Sequence, residues 1–287
     1  MLFQDALAEA ATAVSDHLTE VLAPFEGELG AAMRYACGGG KRLRAFLVIE
    51  GARLHGVGRA PALDAAAAIE AVHAYSLVHD DMPCMDDDDL RRGLPTVHVK
   101  WDEAMAVLTG DALQALAFDL LSDADLPDLA RLNLLRGLSR AAGGRGMVLG
   151  QVLDIAAETA ATPLTLDQIK RLQALKTGVL FEWSATAGAV MAGADPTPLA
   201  RYAAAFGLAF QIADDILDVE GDEAQTGKRV GKDAAAGKAT FVSLMGLEGA
   251  RAEAQHLVTL ACDALAPYGE AAGNLREAAR FVISRQS

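Results

Sequence analysis

Two acidic clusters lie far apart in this chain, and their spacing is suited to metal chemistry. The first spans residues 80–89 and reads DDMPCMDDDD; the second, at Asp214, Asp215 and Asp218, reads DDILD. Each follows an apolar helical stretch, so each is displayed by a packed helix rather than by a solvated tail. Carboxylates crowded this closely repel one another and call for cations nearby. Hard oxygen ligands point to Mg²⁺, which commonly shares its shell with substrate phosphates. A thiolate ligand would suit a softer metal, so Cys84, inside the first cluster, reads as a small packing residue. The chemistry implied is that of a diphosphate.

The spacing within each cluster assigns roles. On a helix Asp214 and Asp218 share a face, with Gln211 one turn before them. Asp215 is rotated about 100° away, which suits a supporting position. In the first cluster Pro83 disfavours helical geometry at Met82, so the helix ends or kinks there. That leaves Asp80 and Asp81 at a helix C-terminus, where the backbone already presents partial negative charge. Asp86 can reach back across the break to Asp80, while Asp87, Asp88 and Asp89 read as a solvated continuation. His79 reads as structural or supporting.

Basic residues gather at a few places. GGGKRLR sets Lys41, Arg42 and Arg44 behind three glycines at an expected helix N-terminus, where N–H groups, helix dipole and guanidinium forks make an anion site. Arg91 and Arg92 follow the first acidic cluster, and Lys176 lies in an otherwise apolar stretch. Lys228 and Lys238 fall in 220–238, a Gly-, Lys- and Asp-rich segment expected to be a loop that closes over a ligand. These residues describe two anion sites, one bridged by metal and one bound directly by Lys and Arg.

Helices must carry these groups. Helical periodicity covers roughly 3–23, 42–56, 62–82, 97–121, 127–142, 145–158, 165–193, 195–219, 239–265 and 270–284, with no convincing strand alternation. Glycine and proline punctuate the breaks, and no linker is long enough to separate two domains. The chain is 52% hydrophobic but only 5% aromatic, so alanine does much of the filling, which favours helices. A formal net charge of -14 argues against nucleic acid and against anionic membrane surfaces as partners. No cleavable signal and no integral membrane span are expected. Three scattered cysteines suit a reduced, cytoplasmic setting.

Two other readings fail. A Walker-type nucleotide loop needs Ser or Thr after GK, but Arg42 and Ala239 stand at the two candidate places. A di-iron bundle needs two Glu-x-x-His motifs; Glu70/His73 and Glu253/His256 qualify, but such pairs arise readily by chance in helical chains.

From roughly residue 30 onward, the chain resembles the trans-isoprenyl diphosphate synthases, most closely the bacterial farnesyl diphosphate synthases. The motifs that carry the resemblance are GGGKRLR, HAYSLVHDDMPCMDDDDLRRGLPTVH, LTGDALQALAF, Lys176–Thr177, FQIADDILD and TGKRVGKDAAAGKAT. It implies one all-α domain over 1–287, a helical bundle around a deep central cavity, usually as a homodimer. It implies Mg²⁺ on Asp80, Asp86 and Asp214, supported by Asp81, Asp218 and Asp215. Arg91, Lys176, Thr177, Lys228 and Gln211 then hold an allylic diphosphate; Lys41, Arg44, His73 and Arg92 hold isopentenyl diphosphate, and Lys238 closes with its loop. Tyr75 and Ser76, roughly 6–8 Å down the helix from Asp80, form the floor that limits the product to fifteen carbons. The alternatives are the same chemistry with a geranyl or geranylgeranyl product, or a non-catalytic partner subunit. Two departures stand out: Ala45, where the family usually has Pro, and Thr240-Phe241-Val242, where Thr-Tyr-Pro is common.

Overall fold

The computed structural model describes residues 3–160, 162–220 and 239–284. In chain order the helices are α1 (Phe3–Leu22), α2 (Gly27–Ala36), α3 (Leu43–Leu54) and α4 (Arg59–Asp80). A hairpin of β1 (Leu90–Arg91) and β2 (Leu94–Pro95) follows, then a single turn α5 (Val97–Lys100) and α6 (Glu103–Asp123). Next come α7 (Asp128–Ala142), α8 (Met147–Glu158), α9 (Leu166–Gln173), a π-helical turn Ala174–Gly178 and α10 (Val179–Met191). The chain continues with α11 (Thr197–Glu220), α12 (Phe241–Ala264), a 3₁₀ segment Ala266–Ala272 and α13 (Gly273–Ser284). The fold is all-α, as the periodicity implies.

Two compact units emerge: Met1–Arg136 with Ala187–Ala194, and Gly137–Thr186 with Asp195–Ser287. In the first, α4 is the central post, packed mainly on α6 and α3. Ala65 to Ala68, Ile69, Ala71 and Val72 are all fully buried, so α4 is buried on every side over this stretch, with Glu70 its one charged residue. Small residues let neighbours approach closely. A Cβ added at Gly110 on α6 would lie 2.0 Å from His79 Nε2, and one at Gly188 on α10 would lie 2.1 Å from the Gly51 backbone on α3.

In the second unit α11 lies along α12. Tyr202 stacks on Phe206 and donates its hydroxyl to the Leu275 carbonyl at 2.9 Å, while Phe181 meets Phe206 edge-on. Gly150 on α8 touches the Lys176 backbone so closely that an added Cβ would lie 2.2 Å from its nitrogen.

Several local features depart from the sequence expectation. Helix α2 was not anticipated: it opens on Gly27 and contains Gly30, whose bare Cα accommodates the Phe25 carbonyl, so glycine weakens its pattern. The hairpin strands are too short for alternation to register; the turn residues Arg92 and Gly93 both have positive φ, as a two-residue hairpin turn of the I′ kind requires. The span expected as one helix over 97–121 breaks at Trp101, and Asp102 recaps it by accepting the Met105 N–H at 2.7 Å. Gly246, with φ of 71°, kinks α12. By length and composition α6 is apolar enough to cross a membrane, although 39% of its apolar window is buried within the fold.

The Gly188 contact gives a direct test. Gly188→Ala places a methyl against backbone that cannot swing aside, and overpacking of this kind costs about 1–3 kcal/mol. Urea unfolding is expected to show a lower midpoint at an unchanged slope; a midpoint equal to that of the parent would contradict the packing of α10 on α3.

Candidate active site

The first unit builds one acidic and one cationic surface from the same helix. Helix α4 stops at Asp80, and Asp81 caps it in helical geometry. The acidic turn then folds back: the Asp86 N–H reaches the Asp80 carbonyl at 2.8 Å and the Asp88 N–H reaches the Asp81 carbonyl at 3.2 Å. Asp86 thus does return across the break. Met82 is buried in a small apolar cluster with Ala32, Val78, Val97 and Ala106, and Met85 packs against it. These two methionines anchor the turn; Asp87, at positive φ, and Asp89 are exposed, with Asp88 half-buried.

Asp81 faces inward. It is 3% exposed and takes the Arg91 Nε at 2.9 Å, with a second, shorter contact from the same guanidinium. Burial pushes its carboxyl above the usual range, Arg91 opposes that, and Asp88 and Asp86 add to it. Arg91 also lies 3.6 Å from Asp88. Asp81 therefore supports the cluster from beneath, through a paired arginine.

The glycine-rich turn approaches the same region. Arg92 Nη1 donates to the Gly38 carbonyl at 2.9 Å, and a Cβ at Gly40, where φ is 90°, would sit 2.8 Å from the Arg92 guanidinium. Only glycine fits there. Lys41 is exposed and Arg44 half-buried. Arg42, by contrast, turns into the fold: its side chain is 5% exposed, pairs with Glu70 at 3.0 Å and donates to the Cys37 carbonyl. At Ala45 the backbone N–H is donated to the other Glu70 oxygen at 3.1 Å, a bond that the proline usual in the family could not make. Glu70 is thus engaged with Arg42, and Glu253 with Lys170 at 3.1 Å, which removes both carboxylates of the di-iron reading.

His73 is one turn along α4 from Glu70. Burial pushes its pKa well below 6.5, and Arg44, Arg92, Arg42 and Arg91 push it further in the same direction. Two of these arginines are already paired, Arg42 with Glu70 and Arg91 with Asp81. Tyr75, two residues on, is buried; it meets His79 edge-on at 5.8 Å and shares a hydrogen bond with Gln114 of α6. Ser76 donates to the His73 carbonyl at 3.0 Å.

The second unit holds the DDILD motif on α11. Asp214 is exposed and Asp218 half-buried, whereas Asp215 is 8% exposed and accepts the Phe241 N–H at 2.8 Å. The rotation of Asp215 off the shared face makes it the anchor of the α12 N-terminus, beside a Thr240/Ser243 capping box. Gln211 donates to Gln173 at 2.9 Å. Lys176 and Thr177 lie on the π-helical turn, an irregularity frequent at functional sites. Lys176 pairs with Asp154 of α8 at 2.7 Å. Lys228 and Lys238 lie outside the described residues. Asp154 and Glu70 are the partners that sequence reasoning missed: each is a lone acid in an apolar helical run, and pairing of that kind leaves no local spacing signal.

Mg²⁺ suits these donors. Both motifs offer carboxylate oxygens and no His or Cys nitrogen or sulfur among the assigned ligands. That pattern suits an ion that takes one or two carboxylates and completes its shell with water and phosphate.

Two outcomes follow from these environments. His73 has a folded-state pKa below its unfolded value, so its stabilising effect is full above pH 6.5 and is lost as pH falls below that. His73→Asn should flatten the acid side of the stability profile, which for one proton has a limiting slope of about 1.4 kcal/mol per pH unit; urea midpoints at pH 7 and 5 measure it. Asp215→Ala strands the buried Phe241 N–H and should cost about 1–3 kcal/mol, read as a lower thermal midpoint, with Asp215→Asn losing less.

Comparison with known proteins agrees with this geometry. The family model described as polyprenyl synthetase matches residues 26–266. The chain is 49% identical over 259 residues to the farnesyl diphosphate synthase of Escherichia coli (strain K12), covering 86% of this chain and 85% of the relative. An FPP/GFPP synthase from Zymomonas mobilis superposes with a TM-score of 0.89 at 47% identity over 98% of both chains. A geranyltransferase from Helicobacter pylori, solved with magnesium and isoprenyl diphosphate, superposes with a TM-score of 0.81 at 35% identity, covering 97% of this chain and 96% of that one. An acidic helix end beside a clustered arginine site, in an all-α fold matched along most of its length, places this chain in the polyprenyl synthetase family.

Proposed function

We propose that this chain is a prenyltransferase that condenses isopentenyl diphosphate head-to-tail with dimethylallyl or geranyl diphosphate to give farnesyl diphosphate. The observation that carries the reading is the meeting, along the C-terminal half of α4 and the turn after it, of an oxygen-ligand cluster at Asp80 and Asp86 with a basic group of Arg44 and Arg92 beside His73. An enzyme that joins two diphosphates needs both kinds of site. A terpene cyclase needs only the metal-bridged one, and a non-catalytic partner subunit would not be expected to keep both acidic motifs.

In this reading Asp80, Asp86 and Asp214 hold Mg²⁺, with Asp81, Asp215 and Asp218 supporting them. Bound there, Mg²⁺ would supply positive charge to offset that of the departing diphosphate. Arg91 and Lys176 add fixed positive charge at the same leaving group, and Thr177 and Gln211 orient it; preorganised charge of this kind favours breaking of the allylic C–O bond. Lys228, outside the described residues, is assigned to the same diphosphate by the resemblance. Lys176 reaches the ligand from its Asp154 brace. Lys41, Arg44, His73 and Arg92 hold isopentenyl diphosphate so that its double bond faces the allylic cation. The departed diphosphate is basic enough and near enough to take the proton released after the C–C bond forms, so no side chain need act as base.

The product length rests on Tyr75, with Ser76 beside it. Its ring is buried against His79, and the hydrogen bond to Gln114 limits its swing. The assembly is proposed to be a homodimer: Val107 and Leu108 of α6 are exposed apolar residues that a second copy would cover. A cytoplasmic setting fits Cys37, Cys84 and Cys262, all free thiols.

The test is a product assay with isopentenyl diphosphate plus dimethylallyl or geranyl diphosphate and Mg²⁺, read by mass spectrometry. Farnesyl diphosphate is expected, with turnover falling by at least about 100-fold in Asp80→Ala and in Asp214→Ala. Tyr75→Ala should shift the product to twenty carbons or more. A parent enzyme already making longer products would discard the floor, and absence of condensation would discard the reading.

A further inference from the structure

We propose that Glu70 is a positioning residue for the isopentenyl diphosphate site, acting through Arg42 and the Ala45 N–H to hold the glycine-rich turn that presents Lys41 and Arg44. The inference rests on the assignment of that turn to isopentenyl diphosphate in the preceding subsection.

Local propensity cannot hold the turn. Gly39 and Gly40 have φ of 69° and 90°, and Arg42 has φ of 53°, a left-handed conformation that a long side chain seldom adopts. Arg42 is also the N-cap of α3 and supplies no capping side-chain bond. Helix α3 therefore opens with orphan N–H groups inside the fold. Glu70, 3% exposed on α4, resolves both problems with one carboxylate. One oxygen accepts the Ala45 N–H at 3.1 Å and caps α3 from outside the helix; the other takes Arg42 Nη1 at 3.0 Å. The second arm of Arg42 holds the Cys37 carbonyl, so a single guanidinium ties the entry of the turn to its exit.

The brace also balances charge. Arg42 acts unfavourably on both His73 and Arg92, and Glu70 offsets that effect at Arg92. His73 is one turn from Glu70 on α4, so brace and binding residue share one rigid element. The Lys41 and Arg44 backbone lies between Arg42 and Ala45 or directly beside them, and has little room to drift while both bonds hold.

The experiment compares Glu70→Gln and Arg42→Lys with the parent enzyme. Glu70→Gln keeps an acceptor for Ala45 but drops the charge; Arg42→Lys keeps the charge but cannot span Glu70 and Cys37 together. In each, KM for isopentenyl diphosphate should rise about tenfold or more, while kcat and KM for the allylic substrate stay within about twofold. The double variant should cost less than the sum of the two single ones, since both lose the shared Glu70–Arg42 contact. Equal rises in both KM values, a fall in kcat alone, or unchanged kinetics in folded variants overturns the proposal. Should Glu70→Gln fail to fold, Arg42→Lys carries the test. If the parent shows no condensation, the prenyltransferase reading fails on its own, and calorimetric titration with isopentenyl diphosphate decides this one. Weaker binding to Arg42→Lys than to the parent sustains the proposal; equal binding, or none to either, overturns it.

Discussion

Like charges at the wrong end of a helix are the constraint around which this end of the first unit is built. The C-terminus of α4 already carries the negative end of the helix dipole, and the chain adds Asp80, Asp81, Asp86 and Asp88 there. Each neighbouring element answers that concentration of charge. The hairpin sets Arg91 against Asp81, Met82 and Met85 pin the turn into an apolar cluster, and backbone N–H groups of the acidic turn close onto the last carbonyls of α4. Asp80, Asp86 and Asp88 stay half-buried at the rim of this turn, and Asp87 and Asp89 are exposed.

The same helix meets the opposite problem one to three turns earlier. There Arg42, Arg44, Arg91 and Arg92 crowd around His73, and buried Glu70 is the counter-charge that lets one of them lie inside the fold. Glu70, His73 and Asp80 all lie on α4, so one continuous helix carries both the residue beside the arginines and the first acid of the cluster.

In the second unit the three aspartates of one motif divide their work by helical phase. Asp214 and Asp218 share a face, and Asp215, rotated away, spends its carboxylate on the first N–H of α12. Asp154 braces Lys176 on a π-turn that Gly150 approaches at backbone contact distance. These contacts are structural, yet each touches a residue assigned to the chemistry, which is how a fold with few polar core groups keeps long cationic side chains in place.

Much of this was legible in the sequence. The all-α class, the end of the helix before Pro83, the return of Asp86 and the split between Asp215 and its neighbours follow from periodicity, proline sterics and the 100° step per residue, all of which are local. The family, too, was readable from the motifs. Tertiary structure alone decided that Arg42 faces inward while Lys41 stays exposed, that Glu70 caps a helix 25 residues away in the chain, that Asp154 holds Lys176, and that a two-residue hairpin delivers Arg91 to Asp81. Helix α2 and the kink at Gly246 belong with these. Their cause is close packing around glycine and the pairing of charges distant in sequence, and neither leaves a periodic trace: a buried ion pair depends on which helices become neighbours, and that is settled by the whole core rather than by any one segment of chain.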